Sequence, residues 1–234
     1  MADHVERYGL WDVTGRPRGF HELVGTLAWE RMLASGVRRV CQRDQFVLRQ
    51  GDPGGYVLLV ESGRVKVMVS DGGGAELLVS VRGRGDLLGE LALTEAHRRT
   101  ASVVALETCH LVAIPTPQLH RLLAEQRVPT ALQDYVTAKL VETVPFSIQL
   151  AHFTACQRLA RLVLQLIALA ESDDPNRFVV PLTHEELAEA LGMVRSTVSE
   201  QISVLRQAGA LGPGRRVVVS DSAILAAHAG VAVL

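Results

Sequence analysis

At 234 residues, with 48% hydrophobic residues and a formal net charge of −1, the chain is long enough for one large or two modest domains with real cores. The balanced charge excludes a uniformly basic chain but leaves room for a local basic stripe. Cys41, Cys109 and Cys156 are odd in number and far apart, with neither zinc-ligand nor CxxC spacing, which argues against a metal cluster and fits a reduced cytoplasm.

The first 20 residues have no clear period and carry Gly15, Pro17 and Gly19, so they read as a loose leader. MADHVERYGLWDVTG lacks a charged-then-apolar secretion pattern, and VLQLIALA is too short, with Gln165 inside it, to span a membrane. A soluble, cytoplasmic protein with no membrane partner is expected. HELVGTLAWERMLASG, residues 21–36, has helical spacing and a stop at Gly36. From Val40 to Ile114 short β-rich runs alternate with Gly turns: QFVLRQ, YVLLVE, RVKVMV, ELLVSV, SVVAL and CHLVAI. Such regular short strands predict a small antiparallel barrel or jelly roll. Gly72–Gly74 is a hairpin tip rather than a phosphate loop, because no GK[ST] and no helix follow it. Residues 115–170 are mostly helical. Leu132, Val136, Leu140 and Thr143 form a stripe that Ser147 and Leu150 continue, facing either a second copy of the chain or its own domain. Pro145 removes a hydrogen bond and clashes with the preceding turn, costing about 3 kcal/mol unless the helix kinks near Val144. The polar stretch ESDDPNRF, 171–178, reads as a linker.

Residues 182–211, LTHEELAEALGMVRSTVSEQISVLRQAGAL, read as a helix-turn-helix. Thr183 and Glu186 form a capping box, with Leu182 and Leu187 as its hydrophobic staple. Gly192 supplies the turn, Val198, Ile202 and Leu205 the apolar face of the second helix, and Gly209 its end. Arg195, Ser196, Thr197, Ser199, Glu200, Ser203 and Arg206 lie on the exposed face, where hydrogen-bonding side chains reach base edges and phosphates in a major groove; Thr183, at the cap, joins this candidate DNA-binding set. GPGRRVVVSD then reads as a wing that places Arg215 and Arg216 at phosphates. The alternative is an ordinary helical hairpin with a solvated polar face. Glu185, Glu186, Glu189 and Glu200 beside these arginines predict modest non-specific affinity with steep salt dependence.

GELALTEAHRRTASVVAL, residues 89–106, carries the ligand-site candidate. Arg99 can fork onto a phosphate, Thr100 can add a hydroxyl donor, and Ala101 lets its backbone N–H approach. Glu90, an acceptor when ionised, suits a sugar hydroxyl. The set fits a sugar-phosphate monoanion; a surface Arg–Glu ion pair is the competing reading.

In layout, residues 21–220 resemble the cyclic-AMP receptor protein/FNR family of bacterial transcription regulators. The resemblance rests on VLRQGDPGGYVLLVESGRVKV, the cassette LGELAL…RTA, the long helix and the winged helix-turn-helix. It implies an α+β protein: a leader at 1–20, a cyclic-nucleotide-binding β-roll (jelly roll) at 21–125, a long dimerisation helix at 126–170 broken near Pro145, and a winged helix-turn-helix DNA-binding domain at 171–234. It further implies a homodimer on a palindromic double-stranded DNA operator, contact with RNA polymerase, and control by a cyclic nucleotide, cyclic AMP first. By resemblance Arg99 and Thr100 hold the cyclic phosphate, Glu90 the ribose, Gly89 and Leu91 line the pocket, and Thr143 meets the base. Arg195 matches the family's guanine-contacting arginine.

Several positions depart from the family pattern. The cassette is about one residue short between Leu93 and Arg99. Val144 and Pro145 follow Thr143 where a hydroxyl residue is usual. Ser196 stands where Glu is frequent, Glu200 where Arg is frequent, and Val194 replaces a Ser cap. The iron–sulfur cysteine pattern is absent, and His97 has no haem-ligand partner. Rival readings are a pocket that is vestigial or retuned to cyclic GMP or cyclic di-GMP, and a protein-interaction module that does not bind DNA. No nucleophile–base pair, metal cluster or P-loop supports an enzyme, so no catalytic residue and no cofactor beyond the regulatory ligand is expected.

Overall fold

The computed structural model describes residues 19–73, 76–94, 96–140 and 153–230. Two short helices open it, α1 (Phe20–Val24) and α2 (Thr26–Ser35). The sequence predicts one helix here. Gly25 splits it, with φ 78° and ψ 160°, a backbone region that glycine alone adopts at low cost.

Eight strands follow: β1 (Val37–Cys41), β2 (Phe46–Leu48), β3 (Tyr56–Ser62), β4 (Val65–Ser70), β5 (Glu76–Arg82), β6 (Leu87–Leu88), β7 (Ser102–Ala105) and β8 (Cys109–Pro115). They form two four-stranded sheets, ordered β1-β8-β3-β6 and β2-β7-β4-β5, with antiparallel pairing throughout. This is the expected β-roll. The sequence reading misses two strands. In β1 the apolar side chains Val37 and Val40 are exposed and leave no buried alternation, and β6 has only two residues.

The apolar run of β3 is continuous because its sheet is covered on both faces. Val57 and Leu59 pack toward the helices, while Leu58 and Val60 pack toward the second sheet. Alternate residues of a strand face opposite sides, so every position of such a run is buried. Each of these side chains contributes about 1.5–3 kcal/mol by leaving water.

Helix α3 (Thr116–Glu125) begins with Pro117 in its first turn, where a missing N–H costs nothing. Helix α4 covers 131–140 among the described residues. Leu132, Tyr135 and Val136 pack into the core of their own roll, so this half of the predicted stripe faces its own domain. Thr143, Ser147, Leu150 and the kink expected at Pro145 lie outside the described residues.

The last four helices are α5 (Ala155–Ala168), α6 (His184–Leu191), α7 (Arg195–Gln207) and α8 (Ser222–His228). The sequence reading attaches residues up to 170 to the dimerisation helix, and here the structure differs. Helix α5 starts afresh at Thr154, whose side chain accepts from Gln157 N–H in a capping box. Its buried face, Leu159, Leu162, Val163 and Leu166, shares a core with Leu187, Val198, Ile202, Leu205 and Leu225, so α5 belongs to the reading head. The predicted linker 171–178 is accordingly a loop inside that head. It leads into a short wing segment, where Val180 N–H donates to Val217 C=O and Val219 N–H to Phe178 C=O. Among the described residues no helix is long and apolar enough to cross a membrane.

The head and the roll share one core. Met68, Leu78, Val81 and Leu106 of the roll join the apolar cluster of α5–α8. Gly83 is tight enough against Leu169 that an added Cβ would meet that side chain and its carbonyl at 3.1 Å. Arg43 donates to Pro181 C=O at 2.6 Å and pairs with Glu186 at 3.0 Å. Arg64 is buried, forks onto Glu107 at 2.8 and 2.7 Å, and donates to Leu166 C=O at 2.7 Å. A cleft of about 420 Å³ opens along this seam, lined by Gly63, Glu107, His110, Leu169 and Asp174 among others.

Candidate functional site

The cassette begins at the end of β6. Gly89 has φ 86°, a backbone conformation that requires glycine, and an added Cβ there would lie 2.3 Å from Arg99 Nη1 and displace the guanidinium. Arg99 is only 3% exposed. Its Nη1 donates to Gly89 C=O at 3.1 Å and its Nη2 to Tyr56 C=O at 2.8 Å, and its guanidinium lies 4.5 Å from the centre of the Tyr56 ring. Among the described residues no carboxylate lies within ion-pair distance of it, and its buried Nε has no hydrogen-bond partner. A guanidinium has five N–H donors, so three remain, Nε–H among them. Both terminal nitrogens already hold main-chain carbonyls, which narrows the sequence expectation of a free fork.

Glu90 does not pair with Arg99, so the competing ion-pair reading fails. Its half-buried carboxyl is held above the usual carboxylate range by loss of water; Arg82 and Lys139 oppose this and Asp86 adds to it. Those neighbours form a buried polar group that the sequence reading missed. Lys139 Nζ of α4 lies 3.2 Å from Asp86 Oδ1, both side chains 3% exposed. Tyr135 O–H donates to Asp86 Oδ1 at 3.0 Å, and Gly83 N–H to Asp86 Oδ2 at 3.0 Å. The available signal was a lysine and a tyrosine at helical spacing on an otherwise apolar face. Leu91 and Thr100 are exposed and Ala101 is half-buried at the rim. Thr143 is outside the described residues.

The reading head follows its local sequence rules. Thr183 Oγ1 accepts from Glu186 N–H at 3.2 Å, and Glu186 Oε2 accepts from Thr183 N–H at 2.7 Å. Burial works upward on the Glu186 carboxyl, but the Thr183 donors, Arg43 and Lys66 outweigh it and leave it below its ordinary range. Gly192 ends α6 in the left-handed conformation, φ 59° and ψ 42°. Arg158 donates to the freed Leu191 C=O. Helix α7 starts at Val194 with no side-chain cap, as expected from the sequence.

Arg195, Ser196, Ser199, Glu200 and Ser203 are exposed along one side of α7, and Thr197 is half-buried. Arg195 makes one exposed contact, 3.3 Å to Glu185. Such a pair is worth about 0–1 kcal/mol and yields readily to a phosphate or a base. Arg215 and Arg216 are exposed at the wing tip. Arg206 differs from the expectation. Its Nε donates to Gly212 C=O at 3.0 Å and its Nη2 to Gly214 C=O at 2.6 Å, so it fixes the wing against α7.

Two family models match the chain: a cyclic nucleotide-binding domain over residues 38–126 and a Crp-like helix-turn-helix domain over 157–228. The second match begins within α5, in line with the boundary seen in the structure. The cyclic AMP receptor protein of Thermus thermophilus is 31% identical over 193 residues, covering 80% of this chain and 86% of that protein. The CRP-like cAMP-activated global transcriptional regulator of Mycobacterium tuberculosis is 27% identical over 191 residues, covering 80% and 85%. Among solved structures, a CRP/FNR-family transcriptional regulator of T. thermophilus superposes with a TM-score of 0.66 at 25% identity, covering 83% of this chain and 98% of that one. The c-di-GMP-responsive global regulator CLP of Xanthomonas campestris gives 0.65 at 24%, again covering 83% and 98%. With a β-roll carrying the Gly89–Arg99 cassette, a winged reading head behind it and these relatives, the chain belongs to the cyclic-AMP receptor protein/FNR family of transcription regulators.

Proposed function

We propose that the protein is a homodimeric, cytoplasmic regulator that binds a palindromic DNA operator under the control of a cyclic nucleotide, cyclic AMP first, and contacts RNA polymerase there. The observation that carries effector control is Arg99, a buried guanidinium that, among the described residues, has no carboxylate partner and whose Nε–H makes no hydrogen bond. Burying a charge is costly unless it is compensated, and a site that keeps one poised is suited to an anion. Arg99 with Thr100 holds the cyclic phosphate, Glu90 takes the ribose hydroxyl, and Gly89 lets the backbone approach. Thr143 is assigned to the base on resemblance alone.

One short physical route leads from this cassette to the reading head. Glu90 faces Arg82, whose neighbours Val81 and Gly83 pack against the head. A ligand that binds one arrangement of these contacts better than another shifts the population of head positions. In DNA recognition, Arg195 takes a guanine edge, Ser196, Thr197, Ser199, Glu200 and Ser203 complete the groove surface, and Thr183, Arg215 and Arg216 meet phosphates.

A second reading is supported by the carbonyls of Gly89 and Tyr56 that already occupy Arg99. It is the same DNA-binding regulator with the pocket retuned to another ligand or without one. Fluorescence anisotropy of labelled operator DNA, with and without cyclic AMP, separates the two. A tighter complex with nucleotide supports the first reading; equal affinity in both conditions supports the second. Failure to bind any genomic fragment would overturn both.

A further inference from the structure

Cys41 and Cys109, far apart in sequence, are direct register partners in the antiparallel β1–β8 pair. Opposed residues in such a ladder have Cα atoms about 4.5–5.5 Å apart and side chains on the same face. That spacing lies inside the range a disulfide spans. Both side chains do share a face: Cys109 is fully buried in the inter-sheet core, and Cys41, half-buried, packs against the same cluster. We infer that Cys41 and Cys109 are a dithiol–disulfide site, and that its oxidation is felt at the seam between the roll and the reading head.

Both thiols adjoin the groups that tie the two parts together. Cys109 Sγ–H donates to Arg64 C=O at 3.3 Å and to Glu107 C=O at 3.4 Å. The side chains of those two residues form the buried fork that reaches Leu166 of α5. Two residues beyond Cys41, Arg43 holds Pro181 and the Glu186 cap of α6. A disulfide sulfur has no hydrogen to donate, so oxidation removes both Cys109 bonds, and the crosslink pins the start of the Arg43 loop to β8. One covalent event therefore reaches the anchor of both interdomain ties.

A low-molecular-weight disulfide is a sufficient oxidant. The more accessible Cys41 thiolate attacks it, forms a mixed disulfide and expels one small thiolate. Cys109, deprotonated, attacks the Cys41 sulfur and expels the second. The protein gives up two protons and two electrons, and the small disulfide becomes two thiols. Burial pushes the Cys109 thiol up to about 12, with Glu107 and Cys41 adding to it, and burial also raises Cys41. The exchange is accordingly slow at neutral pH and faster in alkali, since the thiolate is the attacking form.

The test is incubation of the full chain with oxidised glutathione, followed by non-reducing peptide mapping and hydrogen exchange. The expected result is a Cys41–Cys109 crosslink, loss of two of the three alkylatable thiols, and altered exchange at residues 166–169 and 181–187 with α8 unchanged. Cys156→Ser keeps the crosslink, and Cys41→Ser and Cys109→Ser each lose it. A stable glutathione adduct on Cys41 with Cys109 still free, or two unreacted thiols, would overturn the site. A crosslink with unchanged exchange across the seam would overturn the coupling.

Discussion

Arg99 and Arg195 are both assigned to an anionic ligand, yet the side chain of Arg195 is 67% exposed while Arg99 is 3% exposed. The exposed arginine costs the fold little, and its contacts are screened by salt and water. The buried one is desolvated in the folded protein already, so a ligand that meets it gains a contact in a low-dielectric setting. The two halves of the molecule thus use the same side chain in opposite ways. The head keeps its charges labile, as the proposed contact with a long polyanion needs, and the roll holds one charge fixed, as the proposed small anionic effector needs.

The contrast is sharpest in the largest expected effect. In the proposed pocket Arg99→Ala would remove two charge-assisted contacts to the effector, each worth about 1.5–3 kcal/mol, so nucleotide affinity should fall by about 100-fold or more. Titration calorimetry reads this, and gel filtration should show the oligomer unchanged. Asp86→Ala strikes the fold instead, because Lys139, Tyr135 and Gly83 share that carboxylate. Urea unfolding should register a loss of about 3–5 kcal/mol, as for other broken buried pairs. On the exposed side, Arg195→Ala should cost about 1–3 kcal/mol per half-site on specific DNA and leave thermal stability alone. An equal loss on every sequence would move Arg195 from a base to a phosphate.

Two smaller effects separate buried from exposed chemistry further. The raised Glu90 carboxyl binds its proton more tightly folded than unfolded. It therefore costs stability increasingly as pH climbs from the ordinary carboxylate range through its raised value. Glu90→Gln should close that gap, gaining in melting temperature relative to the parent as pH rises; a pH-independent difference would contradict the assignment. Val194→Ser adds the missing cap to α7 at a position 66% exposed, so about 1 kcal/mol of stability should be gained with no packing lost.

The same contrast explains what the sequence makes legible. The capping box at Thr183, the left-handed Gly192 and the apolar spacing of α7 are rules acting over four or fewer residues, and each appears as expected. Six of the strands likewise follow from short apolar runs between turns. The cassette is readable as a motif but not as a geometry. Arg99 is held by Tyr56, 43 residues away, and Glu90 is raised chiefly by burial, with Lys139, on a helix beyond three further elements, weakly opposing it. Arg206 looks like any other polar residue on α7 until the wing folds back onto it. Helix α5 is misassigned because its apolar face continues a helical pattern, and only the Thr154 cap and its packing on α6–α8 mark it as a new beginning. The two interdomain arginines, Arg43 and Arg64, carry no local signature.

The most direct test is calorimetric titration of cyclic AMP into the parent protein, Arg99→Ala and Arg195→Ala. Saturable binding, stoichiometric with protomer, is expected in the parent and in Arg195→Ala, and its loss in Arg99→Ala. Heat-silent titration of the parent at millimolar nucleotide, or undiminished binding in Arg99→Ala, would contradict it.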